Sequence, residues 1–140
     1  MNDLRTNRTD FRIYFEDTDV NGIVYHANYV KYFERGRTES LRASFANLSS
    51  LMEGDDPTTF AVASMDIAFK RPARLDDIIT VETTLAEAKG ARMIFDQTIF
   101  RGEERLAAAH VIVAVITLDG RPKRMPKVMR ERMEALLSIL

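Results

Sequence analysis

Apolar and polar residues alternate from Phe11 to Thr18, with Phe11, Ile13 and Phe15 on one side and Arg12, Tyr14 and Glu16 on the other. A period of two is that of a half-buried strand, so the segment predicts one. Asp19 to Gly22 is turn chemistry. From about Tyr25 to Phe45 the period changes: there is no proline, and Val30, Phe33, Leu41 and Phe45 recur at helical spacing. Apolar or aromatic residues cover much of this predicted helix (Tyr29, Val30, Tyr32, Phe33, Leu41, Phe45), as a sheet curved around it would require. Asn47 to Thr59, with Gly54, Asp55, Asp56 and Pro57, reads as a loop with one short turn of helix.

Four further strands are predicted: Phe60 to Phe69, Ile78 to Ala88, Arg92 to Phe100 and Arg105 to Leu118. Turns at Lys89-Gly90 and Gly102-Glu103 separate the last three. Val111, Val113 and Val115 alternate with Ile112, Ala114 and Ile116, which predicts burial on both faces of the last strand. Short connections favour antiparallel pairing of neighbours, so these strands are expected to form a meander. Pro126 to Leu140 predicts a terminal amphipathic helix with a basic start. No repeat or linker interrupts the pattern, and residues 1–140 read as one α+β domain.

Composition narrows the function classes. A length of 140 residues suits one sizeable core. Cysteine is absent, which removes disulfides, thiolate nucleophiles and Cys-based zinc sites. Two histidines make a multi-His metal centre unexpected, and His110, in an apolar strand, reads as a satisfied buried or half-buried side chain. A formal net charge of −1 gives no reason to expect nucleic-acid binding. MNDLRTNRTD has no apolar core of the kind a signal peptide needs, and the apolar run Leu106 to Leu118 is too short to span a bilayer. The expectation is a cytoplasmic protein without membrane insertion.

The chemistry concentrates in residues 14–42, YFEDTDVNGIVYHANYVKYFERGRTESLR. Asp19 falls in a loop facing the start of the long helix. A helix start carries unpaired N–H groups and a partial positive charge, so it can hold a developing anion. A carboxylate facing such a site can serve acyl hydrolysis as general base or nucleophile. Asp also shapes turns well, and that plainer role competes for Asp19. Asp17, two residues earlier, reads as a structural hydrogen-bond acceptor. His26 offers either its imidazole or its backbone N–H. Tyr25, Tyr29, Tyr32 and Phe33 are core or interface residues, or the wall of an acyl pocket. Glu34 with Arg37, and Glu39 with Arg35 and Arg42, have the spacing of a salt-bridged helix face. Lys70, Arg71 and Arg74 form a small basic cluster that phosphates could use.

The run E-D-T-D-x-x-G-x-V-Y-H-x-N-Y, continued by F-E-R-x-R-T-E-x-L-R, resembles the hotdog-fold acyl-CoA thioesterases. The likeness is strongest to the branch of the 4-hydroxybenzoyl-CoA thioesterase family associated with the bacterial Tol–Pal envelope system. P-A-R-L-D-D at Pro72 to Asp77 is a second match. The resemblance implies a hotdog fold, a five-stranded antiparallel sheet wrapped around one long central helix, working as a dimer or a tetramer of dimers with the site at the interface. It implies catalysis by Asp19, with the His26 backbone N–H as oxyanion donor and Tyr25 beside it. Substrate contacts are implied at Gly22, Val24 and Asn28, and contacts to CoA at Lys70, Arg71 and Arg74. The substrate would be an acyl-CoA or acyl-carrier-protein thioester. No metal or other cofactor is implied, coenzyme A entering only as part of the substrate. Two departures stand out: Asn21 where relatives often have Gly, and Gly36 where they often have Ala. Gly inside a helix costs roughly 1 kcal/mol unless close backbone approach compensates. Two other readings stay open. One is a hotdog hydratase or dehydratase that pairs His26 with Asp19 or Glu39; the other is a non-catalytic binding module of the cell-envelope machinery.

Overall fold

The computed structural model describes residues 5–45 and 47–138. Five strands form one antiparallel sheet: β1 (Thr6–Arg12), β2 (Thr59–Phe69), β3 (Ile78–Lys89), β4 (Arg92–Arg101) and β5 (Glu104–Ile116). Helix α1 spans Asn28–Ser44 and helix α2 spans Lys127–Leu137. The α+β hotdog architecture is therefore present, with α1 on the concave face of the sheet. Ile139 and Leu140, included in the predicted terminal helix, lie outside the described residues.

The strand order is β1-β3-β4-β5-β2, which corrects the predicted four-strand meander. β3, β4 and β5 are joined by tight turns and pair in succession, but β2 pairs with β5 and not with β3. The reason lies in Lys70 to Asp77. These residues cross the end of the sheet and hydrogen-bond to other loops: Val24 N–H donates to the Ala73 carbonyl (2.9 Å), and Ile13 N–H to Asp77 (2.9 Å). Turn length cannot report that kind of pairing.

The first strand also differs from expectation. It ends at Arg12, and Phe15–Asp17 is a 3-10 turn with Phe15 81% exposed. The Asp17 carboxylate accepts the Tyr14 N–H at 2.8 Å, folding the chain back where alternation alone would extend it. The sequence from Asn47 to Thr59 holds its single predicted turn, at Leu48–Met52.

The core lies between α1 and the inward positions of the sheet. Ile79, Val81 and Leu85 on β3, Met93, Phe95 and Ile99 on β4, and Val111, Val113 and Val115 on β5 are buried. Met129 and Met133 of α2 close one end. The outward residues Ile112, Ala114 and Ile116 are only half-buried in the single chain, so the expected double burial of β5 is met on one face. His110 is exposed rather than buried; its Nδ1 is 2.7 Å from Asp96 Oδ1 on the neighbouring strand.

α1 is seated on the sheet through Gly36. A Cβ there would lie 2.5 Å from Val81 Cγ1 and 2.9 Å from Thr83 Oγ1, so the helix approaches as closely as its backbone permits. A polar network fixes the same point. Buried Gln97 donates from Nε2 to the Phe33 carbonyl (2.9 Å) and to Thr83 Oγ1 (2.8 Å), while Arg37 Nη1 donates to Gln97 Oε1 (3.1 Å). The expected Glu34–Arg37 surface pair is thus not formed: Arg37 turns inward, and Glu34 accepts from Thr38 instead. Glu39 does pair with Arg42.

Gly36→Ala is expected to destabilise the fold by about 1 kcal/mol, overpacking outweighing the gain in helix propensity. Urea denaturation measures it, and adding Val81→Ala should give a less than additive total, because the two sites share one contact.

Candidate active site

Thr18 to Val24 forms a narrow hairpin, bridged at Thr18 and Val24 and again at Ile23 and Arg74. Asp19 N–H donates to the Ile23 carbonyl (2.8 Å) and Gly22 N–H to the Asp19 carbonyl (3.1 Å). The turn's left-handed residue is Gly22, with φ +79°. Asn21 does not adopt that geometry, so its difference from relatives carries no strain. Asp19 Oδ1 accepts the Asn21 N–H at 2.8 Å. Asp19 therefore does shape the turn, but with one oxygen; Oδ2 makes no hydrogen bond among the described residues. The turn thereby fixes the carboxylate and leaves one oxygen open.

Asp17 joins this hairpin to α1. Its carbonyl accepts the Tyr25 N–H (3.0 Å) and Asn28 Nδ2–H (2.8 Å), and its carboxylate, 6% exposed, holds Tyr14. The structural reading of Asp17 is the one the geometry supports.

α1 begins at Asn28 rather than Tyr25, and the three preceding residues make an open lead-in. Asn28, Tyr29 and Val30 donate backward to Tyr25, His26 and Ala27 (2.8, 3.3 and 3.3 Å). Tyr25 N–H is taken by Asp17. The N–H groups of His26 and Ala27 make no hydrogen bond among the described residues, and both residues are exposed. Two open amides at a helix start are the donors an oxyanion needs. The His26 ring stacks near Tyr25 (centroids 4.7 Å) and edge-on to Phe69 (6.2 Å), with no hydrogen bond to Asp19 or Glu39. That placement weakens the acid–base reading on which a hydratase would rest.

Tyr25 and Phe69 are about half exposed, and with Tyr29 they make an aromatic wall beside the amides. Val24 is buried and locks the hairpin to Ala73. Of the basic cluster, Arg71 is partly engaged by Glu104 at 3.2 Å, while the side chains of Lys70 and Arg74 have no partner among the described residues. The Ile23–Arg74 bridge brings Arg74 to the hairpin. No group of three or more His, Cys, Asp or Glu suited to a metal occurs among the described residues.

Tyr29 and Tyr32, read from the sequence as core or interface residues or the wall of an acyl pocket, are buried beneath the site. Tyr29 Oη accepts the Ala73 N–H (3.0 Å), and the hydroxyl of Tyr32, 1% exposed, has no hydrogen bond of good geometry among the described residues. Burial raises the pKa of both; at Tyr32 the Asp17 carboxylate adds to the effect, first as an acceptor beside the hydroxyl and then by its charge.

A single sheet curved around one helix, with a carboxylate-bearing hairpin joined to the open start of that helix, defines a hotdog thioesterase domain. The chain belongs to the thioesterase-like superfamily, whose family profile matches residues 13–133. It is 38% identical over 122 residues to the acyl-CoA thioester hydrolase YbgC of Escherichia coli, covering 86% of this chain and 90% of that one. To the acyl-CoA thioesterase YbgC of Haemophilus influenzae it is 41% identical over 117 residues, covering 83% and 85%. A probable thioesterase from Bartonella henselae, solved by crystallography, superposes with a TM-score of 0.82 at 40% identity, covering 86% of this chain and 99% of that one.

Tyr29 and Tyr32 hold their protons more tightly in the fold than in the unfolded chain, where tyrosine titrates near 10. Their contribution to stability is full below about pH 10 and falls above it, as the unfolded chain ionises first. Tyr32→Phe should flatten that alkaline decline, measured as urea midpoints at several pH values.

Proposed function

We propose that the Asp19 hairpin and the open amides of His26 and Ala27 form the reaction centre of this enzyme. The enzyme is an acyl-CoA thioesterase: acyl-CoA and water give a free acid and CoA. Hydrolysis sets two demands, an activated oxygen nucleophile and a place for negative charge on the thioester oxygen. The unbonded oxygen of Asp19 answers the first, by taking a proton from water or by attacking the carbonyl. The two open amides answer the second, and they are the observation that carries this reading. Asp17 connects the two demands physically, since its carbonyl holds the arm that leads from the hairpin to α1.

In this reading Tyr25 flanks the thioester, while Gly22, Val24 and Asn28 set the backbone against which it lies. Lys70, Arg71 and Arg74 take the phosphates of CoA, Lys70 and Arg74 having the freer charges. No resident metal or redox group enters the scheme.

A homo-oligomer, a dimer or a tetramer of dimers, with the site at the interface, is part of the proposal. What supports it is exposed apolar surface around the centre: Tyr25, Val30 and Phe69 are each about half exposed, and β2 has a free edge with Val62 equally open. A cytoplasmic place is proposed, with a connection to the Tol–Pal envelope system. It rests on the motif's likeness to that branch; among the described residues no helix is long and apolar enough to cross a membrane.

Asp19→Asn should lower thiol release from acyl-CoA by about 10²- to 10⁴-fold with little change in thermal unfolding. His26→Ala should lower it less, since an alanine keeps the amide; the opposite ranking would move the chemistry to the imidazole. Near-normal turnover by Asp19→Asn would reject the centre. Lys70→Ala and Arg74→Ala should each raise KM for acyl-CoA more than for an acyl-N-acetylcysteamine thioester, and more than Arg71→Ala does. Equal effects on both substrates would remove the cluster from CoA binding.

A further inference from the structure

Between the second half of α1 and the start of β2 lies a cavity of about 270 Å³. Leu41, Phe60, Val62, Phe95 and Val113 make its apolar walls, and Arg37 is its buried cation. Arg37 is 6% exposed, yet among the described residues it makes one side-chain hydrogen bond, to the neutral amide of Gln97, and no ion pair. Its other N–H groups make no hydrogen bond among the described residues and open onto the cavity. Burial lowers its pKa and Glu34 raises it, the first effect being larger. Glu34 lines the same cavity but accepts from Thr38.

A guanidinium has five donors, and those of Arg37 not used by Gln97 open onto the cavity. The fold already has what it needs from Gln97 through Phe33 and Thr83. The remaining donors face the cavity, where water can meet them; a ligand end that carries an oxygen acceptor replaces that water, whereas a methyl end displaces it and leaves the donors unmet.

One stripe of α1 runs from near the helix start to the cavity. Val30, Glu34, Arg37 and Leu41 recur at i, i+4, i+7 and i+11, one stripe of the helix. Arg37 is nine residues beyond Asn28, roughly 13 Å along the axis. An acyl group whose carbonyl sits at the His26 amides could lie along that stripe and reach the cavity with its far end.

We propose that this cavity is the acyl-end subsite, and that Arg37 selects acyl groups whose far end carries an oxygen acceptor, a hydroxyl or a carboxylate, over those ending in methyl. The assignment rests on the reaction centre proposed for Asp19 and the His26 amides. Apolar walls hold the chain and one directional cation reads its end, the usual division of labour in a ligand pocket.

The test is a set of straight-chain acyl-CoA thioesters of matched length ending in methyl, hydroxyl or carboxylate, followed by thiol release. The intact enzyme should show kcat/KM about tenfold or more higher for at least one acceptor-ended series at the length that reaches Arg37. The hydroxyl and carboxylate arms tell a neutral acceptor from an anionic one. Arg37→Met should bring the ratio near one, and Arg37→Lys should restore part of it. Should Arg37→Met fail to fold, Ala61→Phe fills the cavity from an exposed strand position and should also abolish the ratio. Three results would overturn the subsite. The intact enzyme could show no preference at any length. Arg37→Met could lower all series alike. Or Arg37→Met could shift the oligomeric state in sedimentation, showing that a second subunit supplies the acceptor. A flat ratio with normal thiol release rejects the subsite and leaves the reaction centre standing, whereas full activity in Asp19→Asn rejects the centre.

Discussion

The carbonyl of Asp17 accepts two hydrogen bonds, from the Tyr25 amide and the Asn28 side chain, and the functional end of the molecule is organised around it. Together with the carboxylate's bond to Tyr14, these contacts tie three stretches of chain that differ in conformation: a 3-10 turn, a hairpin arm and a helix start. Each bond alone is worth only about 1 kcal/mol net. Their value is geometric. By consuming the Tyr25 amide, they leave the next two amides free, and they hold the hairpin that presents Asp19 in a fixed relation to those amides.

That relation would be loose if α1 could slide on the sheet. Gly36 prevents it by letting the helix backbone reach Val81 and Thr83, and Gln97 marks the same point with hydrogen bonds to Phe33 of the helix and Thr83 of the sheet. A glycine in mid-helix is a local fault by propensity, and here it is the contact that registers helix against sheet. The same seating turns Arg37 into the interior, where charge with few partners is rare enough to ask for a function.

The reaction centre proposed here is assembled from backbone more than from side chains. One carboxylate oxygen and two amides make up the polar equipment, and aromatic surface from Tyr25, Tyr29 and Phe69 supplies the rest. Much of that surface is open in one chain. A thioester bound there needs water excluded, because charge stabilisation weakens in a wet site. A second copy covering the aromatic wall would provide the exclusion, which links the proposed assembly to the chemistry.

The sequence by itself determined the elements whose signal is local. Period-two stretches placed β2 to β5 to within a residue or two, and helical spacing placed α1. The motif around Asp19 named the carboxylate and the amide that the structure leaves open. Tertiary contacts decided the rest. Asp17 bent the chain at Tyr14 against its alternation, and the Lys70 to Asp77 crossover carried β2 to the far edge of the sheet. Arg37, spaced to pair with Glu34 on the surface, went instead to Gln97, sixty residues away. The division has one cause. Periodicity records which face of an element is apolar, whereas hydrogen bonds between distant segments leave no period, and they alone fix which edge, which oxygen and which amide remain free.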